Sequence, residues 1–357
     1  MAATNAEAGY PLDTPIAGYM IARDPLIVWG PNQPKRQAGP GSVLAEIVGN
    51  RRAYFLFALS STREIGKSLE ADVAEVEALR ARFPEHRYVA LCNTRPELER
   101  FGARGVPAIL CSALAFVDET KFVPHPAELK ELDAIYTATL TSVKRHELCR
   151  DIESLGLIYH WFSERWRNLT PAEVLTSYRA LLPHARFLND EDGDYRLFSN
   201  ETVCKWINRA RVGLCLSAHE GAMLATIEYL LCGIPVVSTP SIGGRDRVLD
   251  PRYSLIVEPE PSAIADAVRT LASRSCNPTA IRKAAFDAMR ADRIRLIRLI
   301  EAIYREEGVT FPADAPWIEL FRHGAWPMTT VERMLDSVPI AALPATQPPP
   351  GAKNSAP

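Results

Sequence analysis

The chain has 357 residues, of which 47% are hydrophobic and 24% are charged, with 41 Lys and Arg against 43 Asp and Glu. This composition is that of a globular protein and excludes a disordered chain, a collagen-like repeat and a coiled-coil rod. A formal net charge of −2 removes the general electrostatic argument for binding nucleic acid or an anionic membrane surface. At roughly 100–200 residues per domain, the length predicts two domains.

The seven cysteines are scattered, odd in number and without a CxxC pair, which argues against both a disulfide framework and a zinc site. The start of the chain lacks the basic residues and apolar core of a secretion signal. No stretch reaches the ~18 uninterrupted apolar residues of a membrane span. These features predict a cytoplasmic protein with reduced thiols, no bound metal and no transmembrane segment.

Both ends of the chain are predicted to be loose. Residues 1–24 are polar and contain Pro and Gly, and residues 341–357 are rich in Pro and almost free of charge. Such segments do not bury enough apolar surface to offset the entropy of ordering them.

Short apolar runs alternate with amphipathic stretches between these ends. In residues 25–115 the runs are LIVW at 26–29, YFLFAL at 54–59, YVALC at 88–92 and VPAILC at 106–111. Alternation of this kind predicts strands and helices in βαβ order, which form a parallel sheet covered by helices. Residues 25–115 are therefore predicted to be a first Rossmann-like domain.

A Pro-containing break at residues 116–130 predicts a linker, and a second βαβ series then fills residues 131–309. Its apolar runs are DAIYTATL at 133–140, LGLIYHWF at 155–162, VGLCLS at 212–217, PVVST at 235–239 and SLIVEP at 254–259. A helix is expected from about Lys144, and Pro171, Ser199 and Gly233 are typical of helix ends. Residues 310–340 are expected to cross back over the first domain. The fold class predicted is α/β, with two doubly wound Rossmann-like domains, a reduced first domain and a ligand cleft between them.

Residues 212–248 carry most of the chemical information, as a strand, a tight turn, a helix and a second buried strand. The turn is predicted to place Glu220 and Gly221 at the amino end of the helix, where unpaired N–H groups and the helix dipole favour an anion such as a diphosphate. Glu228 lies eight residues further on in a largely apolar stretch, and an ionised carboxylate there needs a partner or a solvated site. About 12 Å of helix separates the two acids, so one extended polar ligand can border both.

The E-x7-E spacing of Glu220 and Glu228, the CGIPVV at 232–237 and the Gly243–Gly244 pair resemble the donor site of the retaining GT-B glycosyltransferases of family four. The resemblance covers about half of the chain. The E-x7-E motif is more specific within this strand–turn–helix segment than it is alone.

This resemblance implies that residues 25–115 are the acceptor domain and residues 131–309 the nucleotide-sugar donor domain. It also implies a role for each matching residue. Glu220 contacts the transferred sugar, and Glu228 holds the nucleotide ribose. The backbone amides of Gly221, Ala222 and Met223 meet the diphosphate.

A second match lies after the first strand of residues 131–309, where the family carries Gly-Arg-x-x-x-x-Lys and both cations bind the diphosphate. Lys144 fits the lysine position, whereas Thr139 stands at the arginine position and Arg145 follows Lys144 directly. A lysine offers phosphate a point charge without the bidentate geometry of arginine. Lys144 is thus predicted to be the catalytic cation, with Arg145 in substrate binding. Because Arg247 stands where the family carries a glutamate, an unusual donor is expected.

Two further loops contain residue types that can bind ligands. Gly39 and Gly41 lie in a turn resembling the loop through which GT-B enzymes approach donor phosphate or acceptor, although an ordinary βα turn is an equally good interpretation. Asp190, Asp192 and Asp194 have the spacing of carboxylates that can bind a metal ion, but the segment lacks the later Gly and Glu of an EF-hand loop. We favour a solvated loop for these aspartates.

The sequence therefore predicts a metal-independent, retaining glycosyltransferase of hexosyltransferase type that moves a sugar from a nucleotide-diphosphate sugar to an unidentified acceptor, with no cofactor besides the donor. Glu220 and Lys144 are the predicted catalytic residues. The alternative is a non-catalytic nucleotide-sugar or carbohydrate-binding module on the same scaffold, which Thr139 and the short first domain favour. An epimerase, or a phosphorylase whose pyridoxal phosphate would need an anchoring lysine, is a third class. An oligomer or partner chain that completes the first domain is also left open.

Overall fold

The computed structural model describes residues 11–31, 40–160, 169–190, 193–324 and 327–344. The strands are β1 (Pro15–Ala17), β2 (Tyr19–Arg23), β3 (Leu26–Pro31), β4 (Ala53–Ala58), β5 (His86–Cys92), β6 (Ala108–Leu110), β7 (Leu132–Thr137), β8 (Leu155–Ile158), β9 (Arg186–Phe187), β10 (Ala210–Cys215), β11 (His219–Glu220), β12 (Val236–Ser238), β13 (Ile242–Gly243), β14 (Ser254–Ile256) and β15 (Met328–Thr330). The helices are α1 (Pro40–Val48), α2 (Ser68–Arg82), α3 (Arg95–Gly102), α4 (Pro171–Leu181), α5 (Asn200–Asn208), α6 (Leu224–Leu231), α7 (Pro261–Ser273), α8 (Pro278–Glu306) and α9 (Val331–Asp336).

The first domain is built on a five-stranded sheet in the order β2-β3-β4-β5-β6. Strands β3 to β6 are parallel, and β2 pairs antiparallel with β3 at one edge. Because the parallel strands follow chain order and βαβ crossovers are right-handed, α1, α2 and α3 all pack on one face. Every residue of β4 is buried, as expected for a parallel strand covered on both faces.

The end of the chain covers the opposite face of this sheet. Helix α8 is 29 residues long and belongs to both domains, since Ile281 and Met289 pack in the core of the second and Leu296 and Ile303 in the core of the first. Residues 309–321 continue over the same face and add aromatic side chains to its core, and residues 340–341 return to it. Val331 and Met334 of α9 instead pack on the other face, together with α1, α2 and α3. The short first domain thus receives its missing layer from the C-terminal part of the same chain.

The second domain is built on six parallel strands in the order β14-β12-β10-β7-β8-β9. This is the strand order of a Rossmann fold, which runs outward from β7 in both directions. The order reverses between β7 and β10, and sheets of this type bind ligands beyond the carboxyl ends of the strands at that point. The prediction of two Rossmann-like α/β domains is confirmed.

Three local signals in the sequence act as expected at helix ends. Ser199 accepts a hydrogen bond from the backbone N–H of Thr202 and caps α5, and Pro171 occupies the first turn of α4. Gly233 follows α6 with a φ of 76°, a left-handed conformation that a residue with a Cβ rarely adopts.

The structure differs from the sequence prediction in two segments. Residues 15–23, expected to be loose, form β1 and β2, because the polar composition of the whole segment conceals an apolar run at residues 19–22. No α-helix starts at Lys144. Two short 3-10 helices, Ser142–Lys144 and His146–Cys149, are separated there by Arg145, whose φ is 50°.

The structure also gives observations on membrane spans, metal sites, cysteines and the C-terminal tail. No helix in the described part of the chain is long and apolar enough to cross a membrane. Among the described residues, no group of three or more His, Cys, Asp or Glu side chains is arranged to hold a metal ion. All seven cysteines are free, and six of them are buried. Most of the Pro-rich tail lies outside the described residues.

Candidate active site

A cavity of about 1040 Å³ lies between the two domains, beyond the carboxyl ends of β7 and β10. This is the point at which the strand order of the second sheet reverses. The second domain lines the cavity with the loops after β7 and β10 and with the start of α6, and the first domain contributes the loop at residues 60–62. The predicted site residues in its lining are Lys144, Glu220, Gly221, Ala222, Met223 and Glu228.

Lys144 and Glu220 form an ion pair between Nζ and Oε1, with their side chains only 15% and 13% exposed. Lys144 lies in the turn after β7, where its backbone carbonyl accepts a hydrogen bond from the Tyr136 hydroxyl at 2.6 Å. Glu220 lies in β11, which pairs with β13 in a two-stranded parallel sheet. The two strands that flank the switch point therefore each deliver one predicted catalytic residue, and the two side chains meet.

Glycines permit the close packing around Glu220. Gly243 has a φ of 115°, and a Cβ there would lie 1.7 Å from the Glu220 carbonyl oxygen. A Cβ on Gly221 would lie 2.8 Å from the backbone of Ser61 in the first domain. Only a residue without a side chain fits at either position. The backbone of Glu220 is thereby held from one side by β13 and approached from the other by the first domain.

Helix α6 begins at Leu224 rather than directly after Glu220, because Glu220 belongs to β11. Within the described residues, the backbone N–H groups of Ala222, Met223, Leu224 and Ala225 donate to no backbone or side-chain acceptor. All four residues line the cavity. These free donors lie at the turn where the sequence predicts an anion site, and binding of an anion there stays a prediction.

Glu228 lies on α6, half-buried, and lines the same cavity. It has no hydrogen-bond or ion-pair partner among the residues that the structure describes. Burial raises the pKa of its carboxyl group to about 7, with a smaller contribution from the nearby Cys204. A carboxyl group with this environment is suited to receive hydrogen bonds from a ligand.

Three threonines at the end of β7 also line the cavity. The hydroxyls of Thr137, Thr139 and Thr141 are shielded from solvent and have no hydrogen-bond partner in the described part of the chain. A shielded hydroxyl without a partner is costly. Ligand oxygens that accepted from these groups would remove that cost.

The structure does not bring every predicted site residue to the cavity. The Arg145 guanidinium donates to the Leu216 carbonyl at 2.5 Å and to the Thr239 hydroxyl at 2.6 Å, so Arg145 ties the turn after β7 to the neighbouring strands. Gly41 lies in the first turn of α1, where a Cβ would touch the Tyr88 ring at 3.5 Å. Gly39 lies outside the described residues.

Arg247, which stands where the resemblance expects a glutamate, lies at the domain interface. It donates to the Asn93 carbonyl at 2.8 Å and to the Asp292 carboxylate at 3.3 and 3.4 Å. Asn93 belongs to the first domain and Asp292 to α8, and the cavity lining does not include Arg247. Its guanidinium is therefore committed to joining the domains.

Sequence reasoning missed the first-domain side of the cavity. Residues 60–62 follow the buried strand β4, and Arg63 holds them by donating from Nη1 to the Ser61 carbonyl at 2.8 Å and to its hydroxyl at 2.7 Å. Arg63 itself is buried against Asp72, with Nε at 2.6 Å from Oδ2. The available signal was the run Ser-Ser-Thr directly after YFLFAL, because polar residues at the carboxyl end of a parallel strand commonly face a ligand.

Known proteins share part of this sequence and the overall fold. Residues 188–274, which contain Glu220 and Glu228, match the family model described as Glycosyl transferases group 1. The structure is similar to HepE (Alr3699) of Anabaena, solved in complex with UDP, with a TM-score of 0.51, 14% identity, and coverage of 73% of this chain and 75% of that chain. It is also similar to the UDP-forming α,α-trehalose-phosphate synthase of Burkholderia vietnamiensis, with a TM-score of 0.51, 13% identity, and coverage of 76% and 71%.

The fold is that of the GT-B glycosyltransferases. Among curated protein sequences, no significant match to this chain is found. The predicted GT-B architecture is thus confirmed, whereas membership of family four and the roles of the two glutamates stay predictions.

Proposed function

We propose that this GT-B protein is a glycosyltransferase that moves a sugar from a nucleotide-diphosphate sugar to an acceptor hydroxyl. One observation carries the proposal. Lys144, Glu220, Glu228 and the free N–H groups of residues 222–225 line a single cavity at the strand-order switch point. The segment that matches the glycosyl transferases group 1 model supplies three of these four features.

In this proposal the donor lies along the start of α6. The diphosphate meets the Lys144 ammonium and the amides of residues 222–225, where the positive end of the helix dipole adds to the attraction. Glu228 accepts hydrogen bonds from the ribose hydroxyls, and Glu220 orients the sugar. The similarity to Anabaena HepE, solved with UDP and glucose, supports a nucleoside diphosphate as part of the donor.

The proposed reaction breaks the bond between the sugar anomeric carbon and the diphosphate oxygen and forms a bond from that carbon to the acceptor oxygen. The acceptor proton passes to the departing phosphate oxygen, so no side chain needs to form a covalent intermediate, and the anomeric configuration is retained. Lys144 and the amides of α6 stabilise the charge that grows on the diphosphate. Preoriented donors lower the barrier because they need no rearrangement during the reaction.

The first test is a thermal-shift screen of the full chain against UDP-, GDP- and ADP-sugars, since a ligand that binds only the native state raises the melting temperature. A nucleotide sugar that raises it is then incubated with candidate sugar acceptors, and the anomeric configuration of the product is read by NMR. We expect retention and an unchanged rate in EDTA. An inverted product, or a rate abolished by EDTA and restored by a divalent cation, would contradict this mechanism.

Variants at the cavity separate binding from turnover. We expect Lys144→Ala to lower kcat by about 10²-fold, because it removes a charge that stabilises the leaving diphosphate. Glu228→Ala should raise the donor Kd by about 10-fold through loss of the ribose hydrogen bonds. Lys205→Ala, which removes an exposed lysine of α5, is the matched control and should change neither constant. Wild-type turnover and affinity in both cavity variants would show that the site is assigned wrongly.

A second candidate function is a non-catalytic nucleotide-sugar or carbohydrate-binding module. It is favoured by one observation: Lys144 is the only lysine or arginine in the described lining of the cavity, and it is paired with Glu220. A binding module would show ligand-dependent melting without hydrolysis or transfer of any nucleotide sugar. Detectable turnover that Lys144→Ala removes excludes this alternative.

A further inference from the structure

The ammonium group of Lys144, which an anionic ligand in the cavity would contact, is already paired with the Glu220 carboxylate. Both side chains are largely buried at the cavity wall, and within the described lining no other lysine or arginine is present. The hydrogen bonds and ion pairs of the described residues give the Lys144 ammonium no second carboxylate. An anion that enters the cavity and contacts this ammonium therefore also meets the Glu220 carboxylate.

The backbone on both sides of the ion pair is held in place. Lys144 is fixed through its carbonyl by Tyr136. Glu220 pairs with Gly243 across β11 and β13, with no room for even a Cβ between them. Any separation of the two charged groups therefore comes from rotation of the side chains.

A diphosphate and a carboxylate repel each other when they share one ammonium group. At a partly buried site this repulsion is only weakly screened, so like charges at contact distance weaken binding appreciably. The free amides of residues 222–225 attract the diphosphate but offer nothing to the carboxylate. The diphosphate is thus able to displace Glu220 from Lys144, at a cost in affinity.

We propose that Glu220 is a built-in competitor of the diphosphate for Lys144, a role that rests on the proposed function of this cavity. When a donor binds, its diphosphate takes the ammonium, and the released Glu220 carboxylate turns to the sugar. After transfer, the carboxylate returns to Lys144 and weakens the hold on the nucleoside diphosphate product. The same carboxylate therefore couples sugar orientation to product release.

The test uses inorganic pyrophosphate as the probe, because it carries the two phosphates without ribose, base or sugar. Its Kd is measured by calorimetry at pH 8 for the full-length wild type, Glu220→Gln and Lys144→Met, and for the double variant. Glu147→Gln is the matched control, because it removes an exposed carboxylate from the same turn of chain and lies outside the cavity lining. The melting temperature of each variant establishes that it is folded.

We expect Glu220→Gln to bind pyrophosphate about 5- to 10-fold more tightly than wild type. This gain should vanish in the Lys144→Met background, and Glu147→Gln should shift the Kd by less than about 2-fold. An unchanged or weaker affinity in Glu220→Gln would overturn the proposal. So would a gain that persists without Lys144, because the effect would then be general repulsion.

This outcome is distinguishable from failure of the proposed function. Turnover of a nucleotide sugar by the wild type tests the glycosyltransferase assignment alone. If the wild type transfers sugar but Glu220→Gln binds pyrophosphate no better, the competitor role of Glu220 is contradicted and the glycosyltransferase assignment is supported. If the wild type shows no turnover but Glu220→Gln binds pyrophosphate more tightly, the competition between Glu220 and the diphosphate is supported and the glycosyltransferase assignment is contradicted.

Discussion

On α6, the carboxyl group of Glu228 lies half-buried beside the cavity without a partner among the described residues. Desolvation by burial disfavours its ionised form, and this raises the pKa to about 7. The folded protein therefore binds this proton more tightly than the unfolded chain does. The stability that this proton contributes is fully present below about pH 4.5 and is lost as the pH rises through about 7.

The expected consequence is that Glu228→Gln is more stable than wild type at high pH only. At pH 8 its free energy of unfolding should exceed that of wild type by about 1–2 kcal/mol, a value discounted for partial solvation of the side chain. At pH 4.5 the two proteins should unfold alike. Urea unfolding at both pH values measures the difference.

Glu201 provides the control for this measurement. The pKa of its carboxyl group is lowered, first by a hydrogen bond from its own backbone amide and then by Lys121, so the sign of its effect is opposite. Glu201→Gln should not stabilise the protein at pH 8. A Glu228→Gln variant no more stable than wild type at pH 8 would show that the carboxyl group is not desolvated as described.

The contact between Lys144 and Glu220 belongs to the residue scale as well. Both residues were identified from the sequence as site residues, but 76 positions separate them. Their contact depends on the adjacency of β7 and β10 in the sheet. A local sequence pattern does not show which residues so far apart in the chain come into contact. The ion pair and its consequences for anion binding were therefore visible only in the structure.

At the scale of elements, the short sheet of β11 and β13 sets the position of Glu220. Gly243 pairs with Glu220, and its φ of 115° together with the absence of a Cβ lets the two strands meet. The sequence prediction treated Glu220 as part of a helix end. The two-residue strand was not predictable, since so short a pairing is decided by its neighbours rather than by local preference.

Gly243→Ala should therefore displace Glu220. A methyl group there would collide with the Glu220 carbonyl oxygen, and a shift of about 1 Å in a catalytic group costs about 10²-fold in turnover. The control is Gly308→Ala. Gly308 also has a positive φ, of 68°, but nothing lies within 4 Å of its added Cβ.

Both substitutions carry the backbone cost of a positive φ, about 1–2 kcal/mol. Only Gly243→Ala should lower turnover of a nucleotide sugar beyond the loss of folded protein. Equal turnover per folded molecule in the two variants, measured together with circular dichroism, would contradict this role of Gly243.

At the scale of the whole molecule, helix α8 and the segment after it join the domains. The guanidinium of Arg293 on α8 donates to the carbonyls of Ala115 and Val117 in the connection between the domains. The same guanidinium lies 4.8 Å from the centre of the Phe321 ring. The C-terminal layer therefore holds the connecting segment in place and also packs on the core of the first domain.

This layer makes a testable contribution to stability. Phe321 is 1% exposed and packs against Phe116 with ring centres 5.5 Å apart. Phe321→Ala should lower the free energy of unfolding by about 3–5 kcal/mol through the loss of buried surface and the cavity left behind. Val338→Ala, at a side chain that is 63% exposed in the same segment, should change it by less than about 0.5 kcal/mol. Similar losses in chemical denaturation would contradict the packing described.

The amino-acid sequence by itself determined the fold class, and it named six of the second-domain residues that line the cavity. Apolar runs separated by helical patterns depend on local burial, and the turn and capping residues at Ser199, Pro171 and Gly233 act within a few residues. The strand–turn–helix segment around Glu220 and Glu228 is local in the same sense. Site residues that lie within one such segment can be predicted from the sequence of that segment.

Tertiary structure alone decided which of those side chains share a cavity. Arg145 was predicted at the site because it follows Lys144, but its left-handed backbone and its bonds to Leu216 and Thr239 turn it away. The first-domain loop at residues 60–62 reached the cavity unpredicted. Both outcomes follow from contacts between segments that are distant in the chain, and such contacts leave no periodic signal because their free energy depends on the packed sheet and not on neighbouring residues.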